Sequence, residues 1–316
     1  MANRRVARGT DNNGLLLSNL VAGTRLGEFV IEDRLGTRGT GQLYSATHLV
    51  LPRRATILVL PAAEGGVKSV ALDLLREACI VDAVDHPGMP RVFECGMLSD
   101  RRPWLATERI EGKTVADLIE ARDVSMTEAI AIVRDVADIL AESHRRGLVH
   151  CNVTPASIVI PAHPRRFPLC LVDWVGARTH DSNAPLPMVV GSRYVAPEQA
   201  NAVNVDARSD VYSLGMIARE LVESTGEVVP PMFAALLGSM IAFDPTVRPS
   251  SIEVRNTATW LTNELAPEAA LADDGNDWGE LSMDDATVTT ADSGTNSAPI
   301  TSEIAAAVAG EITPRS

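Results

Sequence analysis

Lysine is almost missing from this chain of 316 residues. Only Lys68 and Lys113 occur, and every other basic side chain is arginine. A reaction that needs a compact ammonium at a fixed place has two candidates, whereas planar guanidinium groups are plentiful. Cysteine is also sparse. Cys79, Cys95, Cys151 and Cys170 form no C-x-x-C pair and no metal-ligand spacing with the histidines. They read as buried or half-buried thiols of a reducing cytoplasm. No run approaches the ~18 apolar residues of a membrane span. Leu15 to Val21 is too short and is broken by Ser18 and Asn19. Arg4, Arg5 and Arg8 are not followed by the apolar region of a signal peptide. The expectation is a cytoplasmic protein without a membrane span.

A basic face is lacking too. The formal charge is −13, but it is unevenly placed. From Pro267 onward the chain holds ten acids and a single base, Arg315, so that segment carries −9 and leaves −4 for the rest. Nothing here suits nucleic acid, which wants a basic surface. What is present is ample apolar material, 46% of residues, in a length that fits one large folded unit with tails. Residues 1–20 read as a flexible arm and 21–265 as the folded domain. Residues 266–316, rich in Asp, Gly, Ser and Thr, read as a disordered acidic tail, because low hydrophobicity with high charge cannot offset chain entropy.

Within the domain, Glu28-Phe29-Val30-Ile31-Glu32 alternates as a strand does. Met126 to Leu140 has apolar residues at helical spacing, with Thr127 and Glu128 near its start. Between Leu148 and Ile160 the chain reads Leu-Val-His-Cys-Asn-Val-Thr-Pro-Ala-Ser-Ile-Val-Ile. This segment resembles the catalytic loop of bacterial Hanks-type serine/threonine protein kinases, His-Arg-Asp-x-Lys-Pro-x-x-Asn. Further motifs of that family follow in order. Leu35-Gly36-Thr37-Arg38-Gly39-Thr40-Gly41 resembles the Gly-rich loop over the ATP phosphates, with Arg38 at its second glycine. Arg54 to Leu60 resembles the strand bearing the nucleotide lysine, and Leu58 stands at the lysine position. Glu77 stands where the lysine's partner Glu is expected. His86-Pro87-Gly88 resembles the turn that follows. Leu105 to Gly112 resembles the hinge, with Thr107 as gatekeeper and Glu108 beside the nucleotide. Asp173-Trp174-Val175 stands for Asp-Phe-Gly. Ala196-Pro197-Glu198, the segment starting Ser209-Asp210, and Asp244-Pro245-x-x-Arg248 complete the series.

The resemblance implies an α+β, two-lobed protein kinase-like fold: an antiparallel β-sheet lobe to about residue 108, then a mainly helical lobe. It also shows what has changed. Asn152 replaces the base Asp, Thr154 the loop Lys, Ser157 the metal-binding Asn and Leu58 the nucleotide Lys. No catalytic position is intact. Gly36, Arg38, Gly39, Gly41, Glu77 and Glu108 remain as a vestigial nucleotide site, and Asp173 is the one metal ligand left. His150, Glu198, Asp210 and Arg248 are kept as framework. The implied function is a catalytically inactive regulatory or scaffolding module in bacterial phosphosignalling, with protein partners that include an active Ser/Thr kinase. No cofactor is required; ATP is a possible ligand, and Mg²⁺ is not expected on one carboxylate and one hydroxyl. One alternative is a weak atypical kinase or ATP-binding switch using Asp173 and Arg38. Another is a carrier whose tail, phosphorylated at Thr287, Thr289 or Thr290, is read by a forkhead-associated domain.

Overall fold

The computed structural model describes residues 8–10, 16–38, 41–62, 78, 81–82, 84–179, 192–201 and 205–265. Within the segment expected as a flexible arm, β1 (Arg8–Thr10) and β2 (Leu16–Ser18) pair antiparallel. The amide of Leu20 then donates to the Tyr44 hydroxyl (3.1 Å), and Gln42 donates to Asn19 (2.7 Å). The arm is thus tied to the sheet at its end.

The first lobe is a six-stranded antiparallel sheet. Its strands are β3 (Arg25–Leu26), β4 (Phe29–Arg38), β5 (Gly41–His48), β6 (Arg54–Val59), β7 (Val92–Met97) and β8 (Pro103–Glu108). Their order across the sheet is β3-β4-β5-β6-β8-β7. Successive side chains on a strand point to opposite faces, and here that alternation separates core from cleft. Ala55, Ile57 and Val59 of β6 join Phe29, Ile31, Tyr44, Trp104 and Ala106 in one buried cluster. The residues between them face the other way. Leu58 is paired with Leu43 on one side and Leu105 on the other, and Thr56 with Ser45 and Thr107.

The second lobe is mainly helical. After β9 (Gly112–Thr114) come α1 (Val115–Ala121), α2 (Met126–Arg145), α3 (Pro197–Ala200), α4 (Ala207–Thr225), α5 (Pro231–Met240) and α6 (Ser251–Glu264). Helix α2 starts with a capping box in which Ser125 and Glu128 satisfy each other's backbone amides. It runs beyond the expected end at Leu140 to Arg145, and the chain then turns at Gly147, whose φ is +74°. Glycine adopts that conformation without a Cβ penalty. Ile130, Val133, Val136, Ala137 and Leu140 put one stripe of α2 into the largest core cluster, together with residues of α4 and α6. Short strands complete this lobe: β10 (Leu148–Val149), β11 (Ile158–Pro161), β12 (Cys170–Leu171) and β13 (Arg178–Thr179). β10 pairs with β13, and β11 lies between β12 and β9. This brings the segment after Val149 and the segment around Asp173 to one place, at the mouth between the lobes. Among the described residues no helix is long and apolar enough to cross a membrane.

Candidate active site

The loop after β10 is held from below by Asp210, a wholly buried residue in the first turn of α4. Its carboxylate accepts from the amides of His150 and Cys151 (both 2.8 Å) and faces His144 Nε2 at 2.8 Å. Cys151 has φ +63°, a conformation that costs a non-glycine residue about 1–3 kcal/mol and persists where the surroundings over-determine it. The two amides on Asp210 supply that constraint. His150 is buried, its Nε2 lies 3.1 Å from the carbonyl of Val172, and its ring packs on Trp174 at 4.4 Å. Burial holds its pKa below the ordinary value although Asp210 lies close. Trp174 donates to the carbonyl of Leu171 (2.7 Å) and shares the core with Val81.

Three of the four replaced side chains, Asn152, Ser157 and Leu58, are held by local contacts, and Thr154 takes part through its backbone. The Asn152 amide donates to Asp173 (3.2 Å). Ser157 is buried, and its hydroxyl donates to the Thr154 carbonyl (2.8 Å) while accepting from the Thr154 amide (2.9 Å). It is turned to the backbone, within the 3₁₀ turn Pro155–Ser157. Leu58 is 4% exposed. Its reach is shown by Gly41: a Cβ built there would lie 2.6 Å from Leu58 Cδ1 and 3.3 Å from the carbonyl of Val59. Leu58 therefore fills the space between β6 and the start of β5. Gly36, with φ +150° and open surroundings, lies at a bulge of β4.

Arg38 ends β4 and reaches across the cleft. Its Nε lies 2.8 Å from Asp173 Oδ2, and the two side chains are 30% and 10% exposed. Asp173 thus has two protein partners on one oxygen, Arg38 and Asn152. Burial dominates its titration all the same and pushes its pKa up to about 6, against the opposing pull of Arg38 and Asn152. The backbone of Asp173 is left-handed, at φ +75°, and leads into the 3₁₀ turn Trp174–Gly176.

Above Asp173 lies a cavity of about 140 Å³. Leu43, Leu58, Val92, Leu105, Val159 and Trp174 make its walls mostly apolar, with Thr56 and Thr107 on one side. Small-molecule sites commonly span roughly 300–1,000 Å³, so this one is small. Glu108 lines it, but its carboxylate is bound bidentately by Arg165 (2.5 and 3.1 Å). Burial raises the pKa of Glu108, and the hydrogen bonds and charge of Arg165 outweigh that and bring it below the ordinary range. Among the described residues, the charged groups on this cavity, Arg38, Glu108 and Asp173, are all paired.

Farther down, Glu198 and Arg248 form a two-pronged ion pair (2.7 and 2.9 Å) with the Arg248 side chain fully buried. The guanidinium also donates to the carbonyls of Ala242, Arg208 and Phe243, and it lies 4.9 Å from the centre of the Tyr212 ring. Burial pushes the pKa of Glu198 up, and the hydrogen bonds from Arg248 and Ser209 reverse this to a net lowering. Gln199 ties this region to the loop above by donating to the Cys151 carbonyl (2.9 Å).

The fold thus gathers Arg38, Gly41, Leu58, Asn152 and Asp173 around the cleft, and it sets Ser157 facing away. Gly39, Glu77, Cys79, Thr287, Thr289 and Thr290 lie outside the described residues. The side chain of Val175 does as well. Sequence reading missed the partners of Asp173 and Glu108. Arg165 carries no motif that marks it.

The protein kinase domain model matches residues 29–229. Serine/threonine-protein kinase PknB of Mycolicibacterium smegmatis is 33% identical over 212 residues, 64% of this chain and 33% of that protein. Serine/threonine-protein kinase pkn2 of Myxococcus xanthus is 29% identical over 197 residues, 60% of this chain and 24% of that protein. The chain spans about a third or less of the length of these curated relatives. The crystal structure of the Mycobacterium tuberculosis PknI kinase domain shares the fold, with a TM-score of 0.59, 24% identity, and coverage of 77% of this chain and 99% of that one. With the sheet lobe, the helical lobe and the ordered motifs all falling within or beside the matched residues, the chain belongs to the protein kinase domain family, with similarity to bacterial serine/threonine-protein kinases.

Proposed function

We propose that this kinase-like domain is catalytically silent and works as a regulatory or scaffolding binding module in bacterial serine/threonine phosphosignalling. The carrying observation is the Arg38–Asp173 ion pair. The carboxylate left for a metal ion has a guanidinium on it, and the hydroxyl of Ser157 is spent on Thr154. This donor set does not fit Mg²⁺, which demands near-octahedral oxygen geometry. Phosphoryl transfer is positioning plus charge stabilisation. Losing the base at Asn152 is worth roughly 10²–10⁴ in rate. Losing a cation at Leu58 or Thr154 is worth roughly 10²–10³ each, and such losses do not simply multiply. The relatives are named serine/threonine-protein kinases, and the activity in those names is theirs. Incubation with labelled ATP, Mg²⁺ or Mn²⁺ and a basic substrate protein is expected to give no transfer above that of an Asp173→Ala variant. Robust turnover that disappears in Asp173→Ala overturns the proposal.

The same ion pair favours a second reading, an ATP-binding switch in which a phosphate draws Arg38 off Asp173. Thermal shift separates the two, since a ligand of the folded state stabilises by RT ln(1 + [L]/Kd). The switch reading expects a melting temperature that rises with ATP and fails to rise in Arg38→Ala. Phosphorylation of Thr287, Thr289 or Thr290 in trans, read by a forkhead-associated domain, is a separate proposal. Mass spectrometry of protein from its native host decides it.

A further inference from the structure

A second groove, of about 300 Å³, runs alongside the segment that joins the lobes. It is built from four places in the sequence: the β5–β6 turn, Phe93 of β7, residues 108–111, and the connection from β11 to β12. Four arginines line it, Arg53, Arg54, Arg109 and Arg165, against two carboxylates, Glu108 and Glu111. Both carboxylates are already neutralised, Glu111 by Arg54 (2.7 Å) and Arg109 (3.6 Å), Glu108 by Arg165 (2.5 Å). Arg53 has no carboxylate partner among the described residues, and its guanidinium rests over the Phe93 ring at 5.6 Å. An adjoining cavity shares Glu108 and Arg165 and adds Arg91 and Arg166, with Asp82 and Asp85 as its further acids. Arg91 and Arg166 are exposed. Arg166 has no carboxylate partner among the described residues, while the Arg91 amide donates to Glu108 (3.3 Å) and its guanidinium charge also acts on that carboxylate. In a chain of formal charge −13, the described residues here set six arginines against four carboxylates. Phe93, Ile110 and Pro161 give the groove an apolar floor.

We propose that this groove and the cavity beside it bind an acidic peptide segment of a partner protein, with one apolar side chain seated on Ile110 and Pro161 and its carboxylates on Arg53, Arg91 and Arg166. Guanidinium forks match carboxylates two-pronged, and a site of opposite sign speeds and steers encounter. A nucleic acid fits less well, because the excess of charge is small and Asp82, Asp85 and Glu111 stand in the path of a continuous phosphate backbone. A membrane needs a convex surface, and this one is concave. The inference does not depend on whether the cleft turns over ATP.

The test uses the full chain and a fluorescein-labelled peptide of alternating Glu and Asp with one central Phe, read by anisotropy. Saturable binding is expected, weakened about tenfold or more in Arg53→Glu/Arg166→Glu. It is also expected to weaken when salt rises from about 50 to about 300 mM. Arg91→Gln, which keeps a long polar side chain, should weaken it less. Circular dichroism melting of each variant separates a lost site from a lost fold. Three outcomes overturn the proposal: no saturable binding, equal binding by a folded double variant, or displacement of the peptide by an equimolar single-stranded oligonucleotide or by phosphatidylglycerol vesicles.

Discussion

Asp173 is the residue whose environment and charge are most at odds. It is buried, and its pKa of about 6 lies above its ordinary 3.8. Its contribution to stability is therefore fully present below about pH 3.8 and is lost as pH rises through 6. The difference corresponds to a cost on the order of 3 kcal/mol at neutral pH. Asp173→Asn removes that cost, and Arg38, 30% exposed, can return to water. We expect Asp173→Asn to melt several degrees above the parent at pH 8 and within error of it near pH 4. A variant that melts lower at pH 8 would show that the Arg38 pair outweighs burial. The sequence announced which acids and bases were missing. It gave no sign of the Arg38–Asp173 contact, which joins the end of β4 to the far lobe and follows no local spacing.

At the scale of elements, β5 and its antiparallel neighbour β6 pack closely where Gly41 approaches Leu58. Gly41→Ala places a methyl 2.6 Å from Leu58 and 2.9 Å from Leu60, so overpacking should cost about 1–3 kcal/mol. Leu58→Ala alone should cost about 2–5 kcal/mol through the cavity it leaves. The double variant is expected to lose less than the sum, because the new methyl fills part of that cavity. Urea melts of the four proteins measure the coupling, and strict additivity would mean that the two residues do not touch. The loop between Val149 and Ile158 depends on an element of another kind, the first turn of α4, through Asp210. Restoring one working residue there leaves the others missing. Asn152→Asp by itself should give no phosphotransfer in the labelled-ATP assay, and activity from that single change would mean that the nucleotide site is sound. Alternation at the start of β4 and helical spacing in α2 were legible from sequence. The end of α2 was not, since it rests on core contacts and on a turn at Gly147.

At the scale of the molecule, the framework of a kinase is kept in full strength where it serves folding. Arg248 is fully buried and bound to Glu198 and to three backbone carbonyls. Removing it leaves a carboxylate and those carbonyls without a partner, at a cost on the order of 3–5 kcal/mol. Arg248→Ala should melt well below the parent. Arg248→Lys should recover little, because an ammonium cannot span two carboxylate oxygens and three carbonyls. A parent-like melting temperature for either variant would show that the second lobe does not rest on this pair.

The ordered short motifs carried a resemblance that implied a sheet lobe followed by a helical lobe, and the period-two alternation at Glu28–Glu32 and the helical spacing of Met126–Leu140 agreed with it locally, because such patterns depend on neighbours a few residues apart. The loss of Lys at Leu58, Asp at Asn152 and Asn at Ser157 was equally plain, since an absent functional group needs no structure to be noticed. What the remaining groups do was decided only by tertiary structure. Arg38 meets Asp173, Arg165 meets Glu108, and Ser157 turns its hydroxyl to Thr154. Buried charges must find partners or be neutralised, and which partner is nearest is a property of how the two lobes close on each other, not of the spacing of residues along the chain.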